Sequence, residues 1–456
     1  MTSCCCCWPE FNCLLRMASV RVITANLEKG MYVRQLDRSW LETPFLFQGF
    51  EIRDDNEIRQ LQQYCEFVYV SIERSSLEEH EILAASQQPG FTKTQLDIRA
   101  IEAPPPPKGV LQRIARALGR LDSTGTIMSI INRQKAYRQA RSLRAEAKPA
   151  AKAYDSAVNV VTSVFDDIAN GKCVDIEKVK GAVTPLIDSA LRNQNAIAWL
   201  AYLRKGDNYT YNHSIASSVW AILLGRHLGF DRETLDKIAM GGMLMDVGKL
   251  KVPKELLSKP GPLTEEEFTI VQQHVDHSVE IVKQSPGIDP AIMEMIEYHH
   301  ERYDGSGYPH SVGGSEIPIF GRIGGIVDCF DAMITQRTYA NARSSYDAIR
   351  ELNKLAGTHF QCELVEQFVQ ALGMFPTGSL VELNSGHVGI VTEQNSVHRL
   401  RPRLMLVLGP DKQPLRKCKG LDLRQCSSKE DQPNARWIAC GHEAGAFGIN
   451  VNDYFF

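Results

Sequence analysis

Glu297-Tyr298-His299-His300-Glu301-Arg302-Tyr303-Asp304-Gly305-Ser306-Gly307-Tyr308-Pro309 packs two adjacent imidazoles, several carboxylates and a turn-forming loop into one short stretch. Neighbouring histidines on a continuing helix cannot both face one hydrophobic core. They can serve one metal site if the helix ends there and the backbone bends, and Asp304-Gly305-Ser306-Gly307 supplies the residues for that bend. The stretch therefore reads as a helix end running into a functional loop, the kind of residue set that metal-assisted phosphate chemistry uses.

Working outward, residues from about Ala153 to Gly373 carry apolar side chains at three- and four-residue steps, which predicts a helical main domain over 153–375. Its best delimited helix follows Pro260-Gly261-Pro262, where Thr264 and Glu267 form a capping box and Leu263 and Phe268 occupy the hydrophobic-staple positions. Phe268, Val271, Val275, Ser278 and Val282 then read as its buried stripe, with His274 beside it. Residues 17–75 alternate β-prone pieces, such as Val20-Arg21-Val22-Ile23 and Phe67-Val68-Tyr69-Val70-Ser71-Ile72, with polar turns, which predicts a small α+β domain. The aromatic-dense segment from Leu36 to Phe50 is its core or a partner surface. Residues 76–152, with Pro104-Pro105-Pro106-Pro107 and then Arg133, Lys135, Arg138, Arg141, Arg144 and Lys148, read as a stiff and basic helical linker. Residues 376–456, with Leu380-Val381-Glu382-Leu383, Val388-Gly389-Ile390-Val391 and Leu404-Met405-Leu406-Val407-Leu408, read as a small β appendage.

The 456 residues are 43% hydrophobic and 23% charged, with a formal net charge of -3. That is the composition of a soluble globular chain of several domains, without a global field to draw it onto nucleic acid or membrane. No apolar run is long enough to cross a bilayer and no export signal opens the chain, so the expected location is cytoplasmic. Cys4, Cys5, Cys6, Cys7 and Cys13 lie in a leader over 1–16, and the other cysteines are scattered, which excludes a disulfide framework. The leader is an unstructured segment ahead of Met17, or a carrier of soft metal or acyl chains.

Inside the helical domain stand His213, Asp246, His274, His299, His300 and Asp328, in apolar or weakly polar surroundings where unpaired burial is costly. Metal coordination relieves that cost. Imidazole plus carboxylate without thiolate suits Fe or Mn, with Zn a further option. A bridging carboxylate, with Asp246 the candidate, can hold two divalent ions and a water for attack on a phosphoryl group. Lys249 and Arg337 are the cations expected at the phosphate. Asp331 reads as a helix-face carboxylate and Asp304 as a turn former, while His227, His277, His310 and His359 read as surface or structural residues.

The order of these residues, with Lys254-Glu255-Leu256-Leu257-Ser258-Lys259-Pro260-Gly261-Pro262-Leu263-Thr264, the His299 to Pro309 stretch and Ala356-Gly357-Thr358-His359-Phe360, closely resembles the HD-GYP domain over about Asn212 to Phe368. That domain is the bacterial cyclic di-GMP phosphodiesterase branch of the HD metal-dependent phosphohydrolases. Met17 to Arg74 resembles the small domain of unknown function fused ahead of one HD-GYP subgroup. The resemblance implies a mainly α fold: an all-helical HD-type domain flanked by the N-terminal α+β unit and the β appendage. It places His213, Asp246 and Asp328 at one ion, with Asp246 bridging, and His274, His299 and His300 at the second. Lys249 and Arg337 fall at phosphate contacts, with Gly307, Tyr308 and Pro309 beside the guanine or its phosphate. Asp246 and Lys249 are the catalytic candidates.

One departure bears on activity. The His of the family's His-Asp pair is Met245 here, a soft thioether in place of a nitrogen donor. Tyr209 stands where members with a third metal carry Glu, which implies no third ion. Three functions follow: hydrolysis of cyclic di-GMP to linear pGpG and on to GMP; a catalytically weakened receptor for that ligand or a protein-interaction module; and hydrolysis of another nucleotide or phosphate ester. The implied partners are cyclic di-GMP, signalling proteins at the N-terminal domain or the Gly-Tyr-Pro loop, and a second copy of the chain, with no DNA or RNA.

Overall fold

The computed structural model describes residues 19–37, 50–52, 54–71, 75–77, 79–86, 137, 139–203, 209–335, 342–395, 400–426 and 435–454. The chain divides into two compact units, one up to Pro104 and one from Pro105.

The first unit is the expected α+β domain. Strands β1 (Ser19–Ile23), β2 (Tyr32–Leu36), β3 (Phe50–Glu51) and β4 (Phe67–Ser71) form an antiparallel sheet of order β1-β4-β2-β3, joined by helices α1 (Asp55–Tyr64) and α2 (Glu79–Ser86). Val22, Val33, Leu36, Phe50, Leu61, Val68, Val70 and Ile82 close its core. The ends of the aromatic segment, Leu36 and Phe50, are thus core residues, while 38–49 lie outside the described residues.

The second unit opens with α3 (Leu143–Ala169), capped by Ser142. This helix starts ten residues before the boundary expected at 153, so Arg144 and Lys148 belong to the helical body, whereas Arg133, Lys135 and Arg138 lie outside the described residues. Glu146, fully buried on α3, accepts two hydrogen bonds of 2.9 and 2.7 Å from the Arg192 guanidinium, which ends α4 (Ile176–Arg192). Then follow α5 (Gln194–Leu203), α6 (Tyr209–Leu228), α7 (Arg232–Leu244), α8 (Lys254–Leu257), α9 (Glu265–Gln272), α10 (His274–Lys283), α11 (Pro290–Tyr298), α12 (Ile319–Ile334), α13 (Ser345–Leu355) and α14 (Cys362–Leu372). Several starts are written in the sequence: Asp231 accepts from Thr234 N, Asp289 accepts from Ala291 N with Pro290 in the first turn, and Thr264 and Glu267 complete the capping box.

The stripe expected to run on from that capping box is corrected at its first two residues, since Val271 is only half-buried. The helix breaks at Gln273 into α9 and α10, and Phe268 is 47% exposed. Its ring meets Tyr308 edge-on at 6.1 Å instead of entering the core. His274, Val275, Ser278 and Val282 are buried as expected.

Strands β5 (Leu380–Leu383), β6 (Val388–Glu393), β7 (Arg403–Leu408), β8 (Pro414–Asp422) and β9 (Ile438–His442) form the C-terminal antiparallel sheet, of order β8-β7-β6-β5-β9. Its inner face shares a core with the helices: Trp199 of α5 packs with Leu380, Val388, Ile390, Val407 and Leu408. Asn195, buried at the start of α5, accepts from Thr377 Oγ1 at 2.9 Å. Among the described residues, no helix is long and apolar enough to cross a membrane.

Because Trp199 is fully buried between helices and sheet, Trp199→Ala is expected to lower unfolding stability by about 3–5 kcal/mol. Urea denaturation followed separately by helical and sheet signals should give one shared, lowered midpoint. Loss confined to the sheet signal would mean that the appendage unfolds independently.

Candidate metal centre

Five chain segments deliver six ligand side chains to one buried place. His213 comes from α6, Asp246 from the turn after α7, His274 from the first position of α10, His299 and His300 from the residues just past α11, and Asp328 from α12. They form two sets whose ligand atoms lie within 4.8 Å of one another: Asp246, His274, His299 and His300 in one, and His213, Asp246 and Asp328 in the other. Asp246 belongs to both.

The tautomers follow from what the other ring nitrogens touch. His274 Nδ1 lies 2.6 Å from Val271 O and His299 Nδ1 lies 2.8 Å from Ile296 O. A carbonyl can only accept, so each Nδ1 carries the proton. Both carbonyls belong to the last turns of helices, where backbone acceptors are open to side-chain donors. The unprotonated Nε2 atoms point inward, 3.3 and 3.8 Å from Asp246 Oδ1. Those three atoms are buried and make no hydrogen bond among the described residues.

The other oxygen repeats the pattern. His213 Nδ1 faces Asp331 Oδ2 at 2.7 Å, and Asp331 is itself held by Trp220 Nε1 at 3.0 Å. His213 Nε2 lies 3.2 Å from Asp246 Oδ2 and 3.0 Å from Asp328 Oδ1, so the ring stands with carboxylates at both nitrogens and, while neutral, has a proton for only one of them. Nitrogen and oxygen atoms crowded this closely need a proton or a cation between them. The donor set of imidazole and carboxylate fits divalent cations.

Electrostatics agree with ionised carboxylates. Burial pushes the Asp246 carboxyl up, but the Lys249 ammonium, together with hydrogen bonds from the facing imidazoles when a proton takes the place of a cation between them, outweighs it and holds the group well below the usual carboxylate range. Asp328 is likewise held low against its burial, through His213. Burial and the neighbouring His299 hold His300 well below the ordinary imidazole value, and burial lowers His274.

Local sequence makes this approach possible. Asp246 leads into a 3-10 turn over Val247–Lys251 that lies against α10. A Cβ on Gly248 would sit 2.1 Å from His274 O and 2.4 Å from Ser278 N, so only glycine lets the turn come this close; its amide donates to Ser278 Oγ at 2.8 Å. Lys249 Nζ reaches Asp246 Oδ2 at 2.6 Å with 17% of its side chain exposed, at the edge of the centre. Met245, at the C-cap of α7, is fully buried.

The Gly307-Tyr308-Pro309 loop closes over His300. Tyr308 stacks on that ring at 4.6 Å, and burial pushes its phenol far above the ordinary value, so it stays protonated. The Tyr308–Pro309 bond is cis. Glu301, almost wholly buried, anchors the loop by accepting from His310 N at 2.6 Å and Val312 N at 3.2 Å.

All six expected ligands are therefore brought together, with Lys249 and Tyr308 beside them, while Arg337 lies outside the described residues. Asp304 forms a turn, accepting from Ser306 N and Oγ. His227 bonds Gln367 and His310 bonds Glu297, while His277 lies 3.8 Å from Glu280, all away from the ligand sets. Sequence reasoning missed Asp331 and Glu301. Asp331 follows Asp328 by three helical positions, so a shared face was readable, but not which ring it would meet.

Comparisons with known proteins bear on the same segments. Residues 195–364 match the HD domain family, and residues 19–179 match the domain of unknown function DUF3391. A Pseudomonas aeruginosa protein named cyclic di-GMP phosphodiesterase PA4108 is 29% identical over 385 residues, 84% of each chain. A Thermotoga maritima protein named cyclic di-GMP phosphodiesterase is 35% identical over 167 residues, 36% of this chain and 45% of its own. A Vibrio cholerae protein named 3'3'-cGAMP-specific phosphodiesterase 2 is 38% identical over 143 residues, 31% of this chain and 27% of its own.

The lowered imidazoles predict a pH dependence. In the unfolded chain His274 and His300 take up protons near pH 6.5, but in the folded chain they stay neutral to lower pH. The unfolded state then binds more protons, so stability falls with decreasing pH by up to about 1.4 kcal/mol per unit for each ring, from about pH 6.5 until the folded values are crossed. The urea midpoint of metal-stripped protein should drop between about pH 7.5 and 5.5, and His300→Gln should reduce that slope. A flat midpoint across this window would mean that neither ring is perturbed.

Proposed function

We propose that this chain, a member of the HD domain family with a DUF3391 segment ahead of its HD domain, hydrolyses the phosphodiester bonds of cyclic di-GMP, giving linear pGpG and then GMP. One observation carries the reading: Asp246 is shared by two ligand sets, and its Oδ1 and the facing Nε2 atoms of His274 and His299 are buried without a hydrogen bond among the described residues, the arrangement a pair of divalent cations satisfies. Iron or manganese suits these donors, and zinc is compatible with them.

The residues divide the work. His274, His299 and His300 would hold one ion through ring nitrogens, His213 and Asp328 would hold the other, and Asp246 would offer an oxygen to each. Divalent ions held there would supply Lewis acidity at a phosphoryl oxygen and activation of a water for in-line attack. Asp331 holds His213 in the donor tautomer and orientation. Lys249, within reach of the centre from its edge, places an ammonium for a phosphate oxygen, where developing charge is greatest. The Tyr308 hydroxyl, kept protonated by burial, serves as a hydrogen-bond donor beside it. Half-exposed Phe268, edge-on to Tyr308, adds an apolar wall on which a nucleobase can pack.

Met245 favours a second reading, a weakened enzyme that retains ligand binding. Its buried thioether leaves the His213 set with one imidazole and two carboxylates. The match to a 3'3'-cGAMP-specific phosphodiesterase also brings that dinucleotide into the test.

Purified chain loaded with iron or manganese should turn over cyclic di-GMP faster than 3'3'-cGAMP. Asp246→Ala or His300→Ala should lower turnover about a thousandfold or more, since several kcal/mol of charge stabilisation are removed. Asp331→Asn should cost about 10–100-fold, and Met245→His should raise turnover. Tight binding without hydrolysis, converted to hydrolysis by Met245→His, would establish the receptor reading instead; hydrolysis unaffected by Asp246→Ala would sink both.

A further inference from the structure

Away from the buried centre, the C-terminal sheet gathers a second set of ligand side chains: Glu382 on β5, and Cys440 and His442 on β9. The pairing register generates it. Glu382 lies directly opposite Cys440 on the neighbouring strand, and Leu380 lies opposite His442, so the carboxylate and thiol are a direct cross-strand pair with the imidazole on their diagonal. Side chains two apart on a strand share a face, which puts all three on one side of the sheet.

The opposite side of β9 is fixed by packing. A Cβ on Gly441 would come 3.0 Å from Tyr346 Cβ and 3.5 Å from Ser344 Oγ at the start of α13, so the strand lies hard against that helix. Cys440 and His442 are thereby turned away from it. Phe447, in a left-handed backbone conformation at φ 58°, lays its ring against His442 with centroids 4.8 Å apart. Lys412 Nζ bonds Glu382 Oε1 and the Gly386 carbonyl, both at 2.6 Å, and this orients the carboxylate with Oε2 toward the imidazole.

His442 Nε2 then faces two groups at once, Glu382 Oε2 at 3.1 Å and Cys440 Sγ at 3.5 Å. A single ring nitrogen offers one proton or one lone pair, which it can only divide between the two directions. A tetrahedral cation can satisfy both. Zinc bond lengths of about 2.3 Å to sulfur and 2.0–2.1 Å to nitrogen or oxygen give tetrahedral edges of about 3.5 Å for S···N and 3.3 Å for N···O. The spacings on the sheet already match those edges.

We infer that Glu382, Cys440 and His442 form a second metal site, mononuclear and thiolate-containing, for a borderline divalent cation of the zinc class, with a fourth position open to water. The mixed sulfur, nitrogen and oxygen set selects zinc over the hard cations suited to the buried centre. The Lys412 charge beside Glu382 opposes the cation and tempers its affinity. Binding releases the Cys440 proton and joins β9 to β5, tying the edge strand to its neighbour in the sheet.

Cobalt(II) distinguishes the two sites, because thiolate ligation gives a near-ultraviolet charge-transfer band and the buried centre contains no thiolate. Reduced, metal-stripped full chain is titrated with Co2+, and the zinc retained after desalting is counted. The parent chain should gain a band that Cys440→Ser and His442→Ala lack, and each variant should retain one fewer zinc per chain. Asp246→Ala should keep the band. The leader cysteines are common to all these proteins, so the difference spectrum isolates Cys440. Coincident spectra and equal zinc for the parent and Cys440→Ser would overturn the site; should that variant fail to fold, Glu382→Gln carries the same comparison. Cyclic dinucleotide hydrolysis reads the other centre, so either conclusion can fail alone.

Discussion

The Asp246 carboxylate, buried with imidazole nitrogens on both sides, is the constraint around which the helical unit is arranged. A lone carboxylate in such a place is held only by charge: the Lys249 ammonium at its edge, and cations or protons among its neighbours. Each surrounding ring is oriented through its far nitrogen. For His274 and His299 the partner is a carbonyl three residues back, in the last turn of a helix. Helix termination thus serves the site directly, because a carbonyl open to the ring places the proton on Nδ1 and leaves Nε2 to face the centre.

The two ligand sets are chemically unequal, and Met245 sharpens the difference. One set holds Asp246 with three imidazoles; the other holds Asp246 and Asp328 with one. On the proposed reading, the imidazole-rich set suits iron or zinc and the carboxylate-rich set a harder ion such as manganese. An imidazole at residue 245 would move the second set toward the first. Its absence leaves an oxygen-dominated position in which Asp328, held strongly ionised, supplies much of the field.

Much of this was legible in order and spacing. The capping box at Thr264, the helix end at Tyr298, the six ligands and the strands after Leu380 are local signals that tertiary packing preserved. What the sequence concealed was relational. Phe268 continues an apolar pattern, but the break at Gln273 turns it outward toward Tyr308. Asp331 looks like any helix-face carboxylate until α6 brings His213 beside it. Trp199 sits on a strongly apolar helix with no hint that its partners lie some two hundred residues later. Glu382 and Cys440 become neighbours only through strand register, which a chain cannot display before it pairs.

Site and stability residues are consequently separate populations. Crowding acceptor atoms around Asp246 disfavours the folded state until a cation or proton enters, so the stabilising work falls elsewhere: on the Glu146–Arg192 pair between α3 and α4, and on the apolar core that joins α5 to the C-terminal sheet. The sheet is therefore structural support for the helical unit rather than an appended ornament. A cation bound only by the folded state adds its own binding free energy to that support. The same logic holds at the sheet's last strand, where a bound ion would fasten β9 across β5 by the strand pairing that already brings Glu382 and Cys440 face to face.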